Sequence, residues 1–284
     1  MKEVLLEQGE KLCLKNDGGL ELFFIGVGSA FATTLDQTNF LIIKGGVHIM
    51  VDFGMTGPSA LWKTARLKIA EIETILPSHL HSDHIGGLEG CGLINRYVSQ
   101  KFFGKPKIKM IITEEFQRIL WDRTLCGGMG HNEEEITSKR TLGLGDYFDI
   151  VRPTWKTYQP RQIFILDYEG IKIELFRTKH IPDSAPTWEA SFISYGLFID
   201  DRVFVSMDTR FDQELIDMYE EKSEVMFQDV QFFDEGVHAP LSMLKGLPSK
   251  VKSKMFLMHY SDDWAKHEIF DFKGWAKAGV RYCF

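Results

Sequence analysis

The chain has 284 residues, 44% of them hydrophobic and 13% aromatic with 22 Phe, enough to bury a sizeable core. A net charge of −7 and a pI near 5.7 argue against an extended nucleic-acid surface, because long polyanions need a positive footprint. They leave room for a small anionic substrate, because bound metal ions bring their own positive charge.

Four scattered cysteines (Cys13, Cys91, Cys126, Cys283) contain no CxxC pair, so reduced thiols and a cytoplasmic location are expected. The start, KEVLLEQGEKL after Met1, is too charged for a signal peptide, and no apolar run reaches the length of a membrane span. Residues 3–26 read as strands, the last being LELFFIGV before a break at Gly28-Ser29-Ala30. Residues 37–43 and 47–53 are two more strands, turning at Lys44-Gly45-Gly46. Asp52 stands at a strand exit, either as a turn carboxylate or as an acceptor behind a metal-binding imidazole. Residues 58–70 have helical spacing.

An apolar, β-branched strand then runs into PSHLHSDHIGG. His79, His81, Asp83 and His84 fall within six residues and include three of the nine histidines in the chain. In an extended turn His79 and His81 project to one side, while Asp83 and His84 follow where the chain curls into a helix. One loop can thus supply ligands to two cations, and imidazole with carboxylate suits zinc, manganese or iron.

Beyond the loop, residues 84–103 have helical period, 107–112 form a strand, and Thr113 caps a helix. Residues 125–160 are the least regular part, Gly-rich and then acidic at Glu133–Glu135, which reads as a solvated face. The segment suits a lid, an arm, a dimer contact or a plain surface insertion. Strands return at 161–168 and 171–177, with His180 just beyond. A hairpin of 191–199 and 202–207 turns at Asp200-Asp201 and ends at Asp208. A helix over 211–221 and a short strand over 224–227 lead to Gln228 and Asp229. A loop carries His238, a helix spans 239–246, and the strand 254–258 delivers His259. A helix over 267–277 and a strand over 280–284 close the chain. No internal linker is visible, so one α/β domain over residues 1–284 is expected, as a sandwich of sheets with helices outside.

His180, Asp208 and His259 each follow an apolar strand, and strand ends on one edge of a sandwich converge. With the loop they resemble the H-x-H-x-D-H pattern and distant ligands of the metallo-β-lactamase superfamily, an αββα four-layer sandwich. Met207 stands where that superfamily commonly has Gly. The resemblance implies His79, His81 and His180 on one metal, Asp83, His84 and His259 on the other, and Asp208 bridging both. Two divalent ions, zinc first with manganese or iron as alternatives, would activate a shared hydroxide, which Asp83 helps orient.

FFIGVGSAF is similar to the opening of the ribonuclease Z-like branch. FQDVQF resembles a strand end of that branch, which places Gln228 at a family His, Asp229 at the family acid and His238 at the His that protonates the leaving oxygen. Asp229 and His238 are therefore a candidate proton-delivery pair, against His238 as a surface loop residue. Arg210 is read either as a phosphate contact or as half of a surface ion pair. GVHAP and the MHYSD end look like compact bacterial and phage phosphodiesterases of the anti-Pycsar type, which are homodimers acting on cyclic nucleotides. The expected function is a dinuclear metal phosphodiesterase on a small or cyclic nucleotide. Alternatives are a transfer-RNA 3′ processing endoribonuclease, a lactone, thioester or β-lactam hydrolase on the same fold, and a nucleotide-sequestering protein. A di-iron electron carrier fits poorly, because such proteins have a carboxylate where His81 stands.

Overall fold

The computed structural model describes residues 1–132 and 141–284. Two eight-stranded mixed sheets face each other, with helices outside. The first contains β1 (Lys2–Leu5), β2 (Glu21–Gly26), β3 (Asn39–Lys44), β4 (Val47–Val51), β5 (Thr74–Leu76), β6 (Ile108–Ile111), β7 (Phe148–Val151) and β16 (Val280–Cys283). The second contains β8 (Thr154–Thr157), β9 (Ile163–Tyr168), β10 (Ile171–Arg177), β11 (Tyr195–Ile199), β12 (Val203–Val205), β13 (Val225–Asp229), β14 (Met255–Met258) and β15 (Gly274–Trp275). The spatial orders are β1-β16-β2-β3-β4-β5-β6-β7 and β15-β14-β13-β12-β11-β10-β9-β8.

Each sheet has an antiparallel half and then a run of parallel strands, β4 to β7 in one and β12 to β15 in the other. Strands in the middle, such as β2, β5 and β13, are buried along their whole length. This is why they read as continuous apolar runs and not as alternating ones. Phe24 of β2 meets Phe227 of β13 across the interface at 5.0 Å between ring centres, and Tyr282 closes on Phe227 at 5.1 Å. Each such pair adds about 0.5–1.5 kcal/mol beyond the area it buries.

The expected strands from 20 onward are present with ends shifted, most of them shortened, while β3 and β13 run on to Lys44 and Asp229. In the expected strand region 3–26, only β1 and β2 are strands. The helix expected over 58–70 is Gly57–Ala65, ended by Arg66 in the left-handed region at φ 55°. The helix expected over 84–103 is divided into Ser82–Ile85, Leu88–Ile94, a wider turn over Asn95–Gln100 and Lys101–Phe103.

One expectation fails outright. No helix lies over 267–277: the segment passes through β15, which pairs with β14, and Gly274 sits at φ 155°. Ile269, Phe272 and Ala276 imitate a helical stripe because single apolar residues of an irregular edge turn inward. The segment 125–160 is more regular than expected, since it carries the helical turns Cys126–Met129 and Leu144–Tyr147 and the strands β7 and β8. The acidic Glu133–Glu135 run lies outside the described residues. Among the described residues no helix is long and apolar enough to cross a membrane.

Candidate metal centre

The carboxyl ends of β4, β5, β10, β12, β13 and β14 open onto one edge of the sandwich. β10 lies two antiparallel steps from β12, so it runs the same way as β12 to β14. After β5 the chain turns through Ser78 to His81, and His81 opens the turn Ser82–Ile85 with extended backbone. The strand exit at Phe53 and Gly54 grips this turn: Phe53 N–H donates to His84 O at 2.7 Å and Gly87 N–H donates to Phe53 O at 2.7 Å. A Cβ on Gly54 would stand 1.8 Å from the Asp83 carbonyl oxygen, so only glycine lets the two segments approach.

Three strand-end residues at the centre, Asp52, Met207 and His259, have φ of 57°, 48° and 59°. Left-handed backbone costs an L-residue roughly 1–2 kcal/mol, and such strain collects where a site must be built. It also gives a physical reason why Gly is common where Met207 stands.

The structure brings all seven expected ligands together. One group is His79, His81, His180 and Asp208; the other is Asp83, His84, Asp208 and His259; within each group the donor atoms lie within 4.8 Å of one another. Asp208 is common to both, with Oδ2 3.6 Å from His79 Nε2, 3.6 Å from His180 Nε2 and 3.5 Å from His259 Nε2, and Oδ1 3.2 Å from His84 Nε2.

Most of the rings are held from behind. His84 Nδ1 donates to Asp52 Oδ2 at 2.6 Å. Asp52 also accepts from the Ser78 N–H at 2.6 Å and the Ser78 hydroxyl at 2.8 Å, and Ser78 Oγ lies 3.0 Å from His79 Nδ1. Asp52 is thus an imidazole brace and not merely a turn carboxylate. His180 Nδ1 donates to the Val237 carbonyl at 3.0 Å, and His259 Nδ1 lies 3.2 Å from Thr38 Oγ1. Such braces settle which nitrogen faces the centre. Ser78 sits beside the motif and could have been suspected from it. Thr38 is 221 residues from its partner, with no local signal.

Facing inward, His79 Nε2, Asp83 Oδ2, His84 Nε2, Asp208 Oδ2 and His259 Nε2 are buried with no hydrogen-bond partner. Unpaired buried polar atoms are costly, and five of them aimed at one point is the arrangement that cations satisfy. The buried His/Asp clusters therefore fit a dinuclear metal site.

The electrostatics agree. Burial lowers His79 well below the ordinary imidazole value, His180 to about 4, and His81 and His259 in the same direction, so these rings stay neutral donors. His84 behaves oppositely: burial opposes its charge, but Asp208, Asp83 and Asp52 outweigh burial and hold it well above that value. Burial pushes Asp83 up, but the neighbouring His84 and His259 prevail and bring it to about 2.

Asp229 and His238 also meet. His238 Nδ1 donates to Asp229 Oδ2 at 2.7 Å, and Asp229 accepts further from Thr209 N–H at 3.0 Å and Ala239 N–H at 3.1 Å. With both oxygens occupied, Asp229 is an orienting acceptor more than a spare metal ligand, although Asp208, Asp229 and His238 also fall within 4.8 Å of one another. Burial works against charge on His238, but Asp229 and Asp208 overcome it and raise the ring to about 9. Gln228 is buried in β13 and turns back to the Asp229 carbonyl, away from this network. The Arg210 guanidinium forms no ion pair among the described residues and donates instead to the carbonyls of Asp183 and Ala185, bracing the loop after His180.

A family model described as "Anti-Pycsar protein Apyc1" matches residues 20–281. An Anti-Pycsar protein Apyc1 from Paenibacillus harenae is 34% identical over 245 residues, covering 86% of this chain and 90% of that protein. Among solved structures, the metallo-beta-lactamase fold protein YhfI from Bacillus subtilis superposes with a TM-score of 0.64 at 17% identity, over 94% of this chain and 100% of that one. Human tRNase Z, short form, superposes with a TM-score of 0.60 at 17% identity, over 92% and 98%. These two likenesses show the fold.

Proposed function

The chain belongs to the Anti-Pycsar protein Apyc1 family, and from that premise and the buried cluster we propose that it is a dinuclear metal-dependent phosphodiesterase hydrolysing small or cyclic nucleotides. The observation that carries the reading is the set of five unpaired buried donor atoms converging between two sheet edges. In this reading His79, His81 and His180 hold one divalent cation, Asp83, His84 and His259 hold the second, and Asp208 serves both. Bound there, two cations, zinc foremost with manganese or iron as alternatives, would acidify a water and neutralise charge developing on the phosphoryl oxygens.

The remaining work falls to side chains. Asp83 Oδ2 faces the centre and orients the attacking water. His238 keeps Nδ1 on Asp229, which leaves Nε2 to donate a proton to the departing sugar oxygen. An alkoxide is a poor leaving group, so this proton matters most for a ribose ester. The same argument separates the proposal from a lactone, thioester or β-lactam hydrolase, which has no need of the Asp229–His238 pair. A homodimer is proposed with it. The negative net charge favours a small substrate over transfer RNA.

The test is His238→Ala on two substrates. Turnover of a cyclic nucleotide should fall by roughly 10²–10⁴-fold, while that of an aryl phosphodiester, whose phenolate leaves without a proton, should change little. Equal rates for variant and parent on the cyclic nucleotide would remove His238 from the mechanism.

A further inference from the structure

Four of the five imidazoles at the centre are held from behind by a hydrogen bond, and His81 is the exception. Its Nδ1 faces inward, 3.1 Å from His180 Nε2, and no partner among the described residues holds its Nε2. A ring free to turn about its Cβ–Cγ bond gives up that freedom when it takes a cation, and the loss weakens binding. What lies against His81 instead is Phe192, whose ring is nearly parallel to it, at 17° and 5.8 Å between centres. The same phenyl ring meets His79 edge-on at 6.4 Å.

Phe192 is itself fixed. Its N–H donates to the Ile181 carbonyl at 2.7 Å, which closes residues 181–192 into a loop with His180 at one end and Phe192 at the other. Arg177, the last residue of β10, reaches into this loop. Its Nη2 donates to the carbonyls of Trp188 at 3.2 Å, Ser191 at 2.9 Å and Phe192 at 3.2 Å. The guanidinium also lies over the Trp188 ring, 5.6 Å from its centre. Trp188 is buried and donates through Nε1 to the Pro160 carbonyl at 3.1 Å. Arg210, two residues past Asp208, takes the Asp183 and Ala185 carbonyls. Arg177 is buried and has no carboxylate partner among the described residues. Burying a guanidinium without a counter-charge is costly, and ordinary packing does not call for it. Here it holds the backbone that carries Phe192.

We propose that Phe192 is a positioning residue for His81. Its ring stands in for the hydrogen bond that the other imidazoles have, and it keeps Nδ1 of His81 turned toward the centre. Through Arg177 the loop 181–192 then sets how tightly His79, His81 and His180 hold their cation. The inference rests on the assignment of those three residues to one metal ion and is independent of the substrate. An offset aromatic stack is a modest interaction, so its loss should weaken a binding constant by roughly 3–10-fold. No ring contact links Phe192 to His84 or His259 among the described residues, so the second donor group should not feel the change.

Metal-free chain is titrated with cobalt(II), whose visible bands report each site as it fills, and with zinc against a chromophoric chelator. The parent should take two cations, and His81→Ala identifies the step that belongs to its group. Phe192→Ala should weaken that step by roughly 3–10-fold and leave the other constant unchanged. Phe192→Tyr should restore it, and Phe192→Leu, which fills similar space without a flat face, should not. Arg177→Lys keeps the charge but loses the planar fork, and should weaken the same step alone. Unchanged constants in Phe192→Ala, equal weakening of both steps, or full rescue by leucine overturns the proposal. So does a raised KM for a cyclic nucleotide with both metal constants unchanged, which would make Phe192 a substrate contact. Fewer than two cations in the parent would remove the metal assignment as well. Two cations and the Phe192 effect, without turnover of any nucleotide, would remove the phosphodiesterase reading and leave the role of Phe192 standing.

Discussion

The two donor groups that share Asp208 are built to different standards. In the group of Asp83, His84 and His259 every residue is buried, His84 is backed by Asp52, and His259 by Thr38. In the group of His79, His81 and His180, the first and last rings are braced by Ser78 and Val237, but His81 is only half-buried and lies flat against Phe192 at 5.8 Å. The charges differ as well. The closed group owns a carboxylate, with a second one directly behind His84, whereas the half-open group offers three imidazoles and only the shared Asp208. A cation held by the closed group would thus meet more negative charge and less water than one held by the half-open group.

Changes at the shared residue should erase this contrast altogether. Asp208→Asn weakens both groups, so metal content should fall from two per chain towards none and hydrolysis by on the order of 10³-fold, read by elemental analysis beside turnover. His81→Ala should expose the contrast, because it touches the half-open group only. Metal content should then settle at one per chain; retention of two would show that His81 is dispensable. Asp52→Asn acts directly on the closed group through His84 and only through Ser78 on His79, so the affinity of the closed group should drop the more, by about 10–100-fold in competition with a chromophoric chelator.

The smallest expected effect is a proton count. His84 is held charged at neutral pH in the metal-free chain, whereas His79, His81, His180 and His259 are already neutral. Filling the closed group should therefore release about one proton and filling the half-open group none, seen by calorimetry in buffers of different ionisation enthalpy. The reverse order of release would invert the account of the two groups.

The same asymmetry decided what could be read from the sequence. His79 to His84 are legible because four donor residues crowd into six positions, and His180, Asp208 and His259 because each follows an apolar strand. Asp52 could be narrowed to two roles but not decided, since its partner His84 lies 32 residues away. Thr38 and the carbonyl of Val237 give no signal, because one is a common strand residue and the other is backbone. The strands β7 and β8 escaped notice because edge strands are short and half-exposed, without a buried run or a clean alternation. The segment 267–277 shows the converse error, an apolar spacing of helical period imposed by an irregular edge. Phe192 looks in sequence like part of the strand expected over 191–199, and only its stack on His81 distinguishes it.

The most direct test of the account is a phosphorus NMR time course on zinc- or manganese-loaded protein with a 3′,5′-cyclic nucleotide. The account predicts conversion of the cyclic phosphodiester signal to that of a linear monophosphate, stopped by a chelator and restored by added metal. Recovery of the cyclic nucleotide unchanged from the denatured protein, or hydrolysis of a lactone in its place, would contradict it.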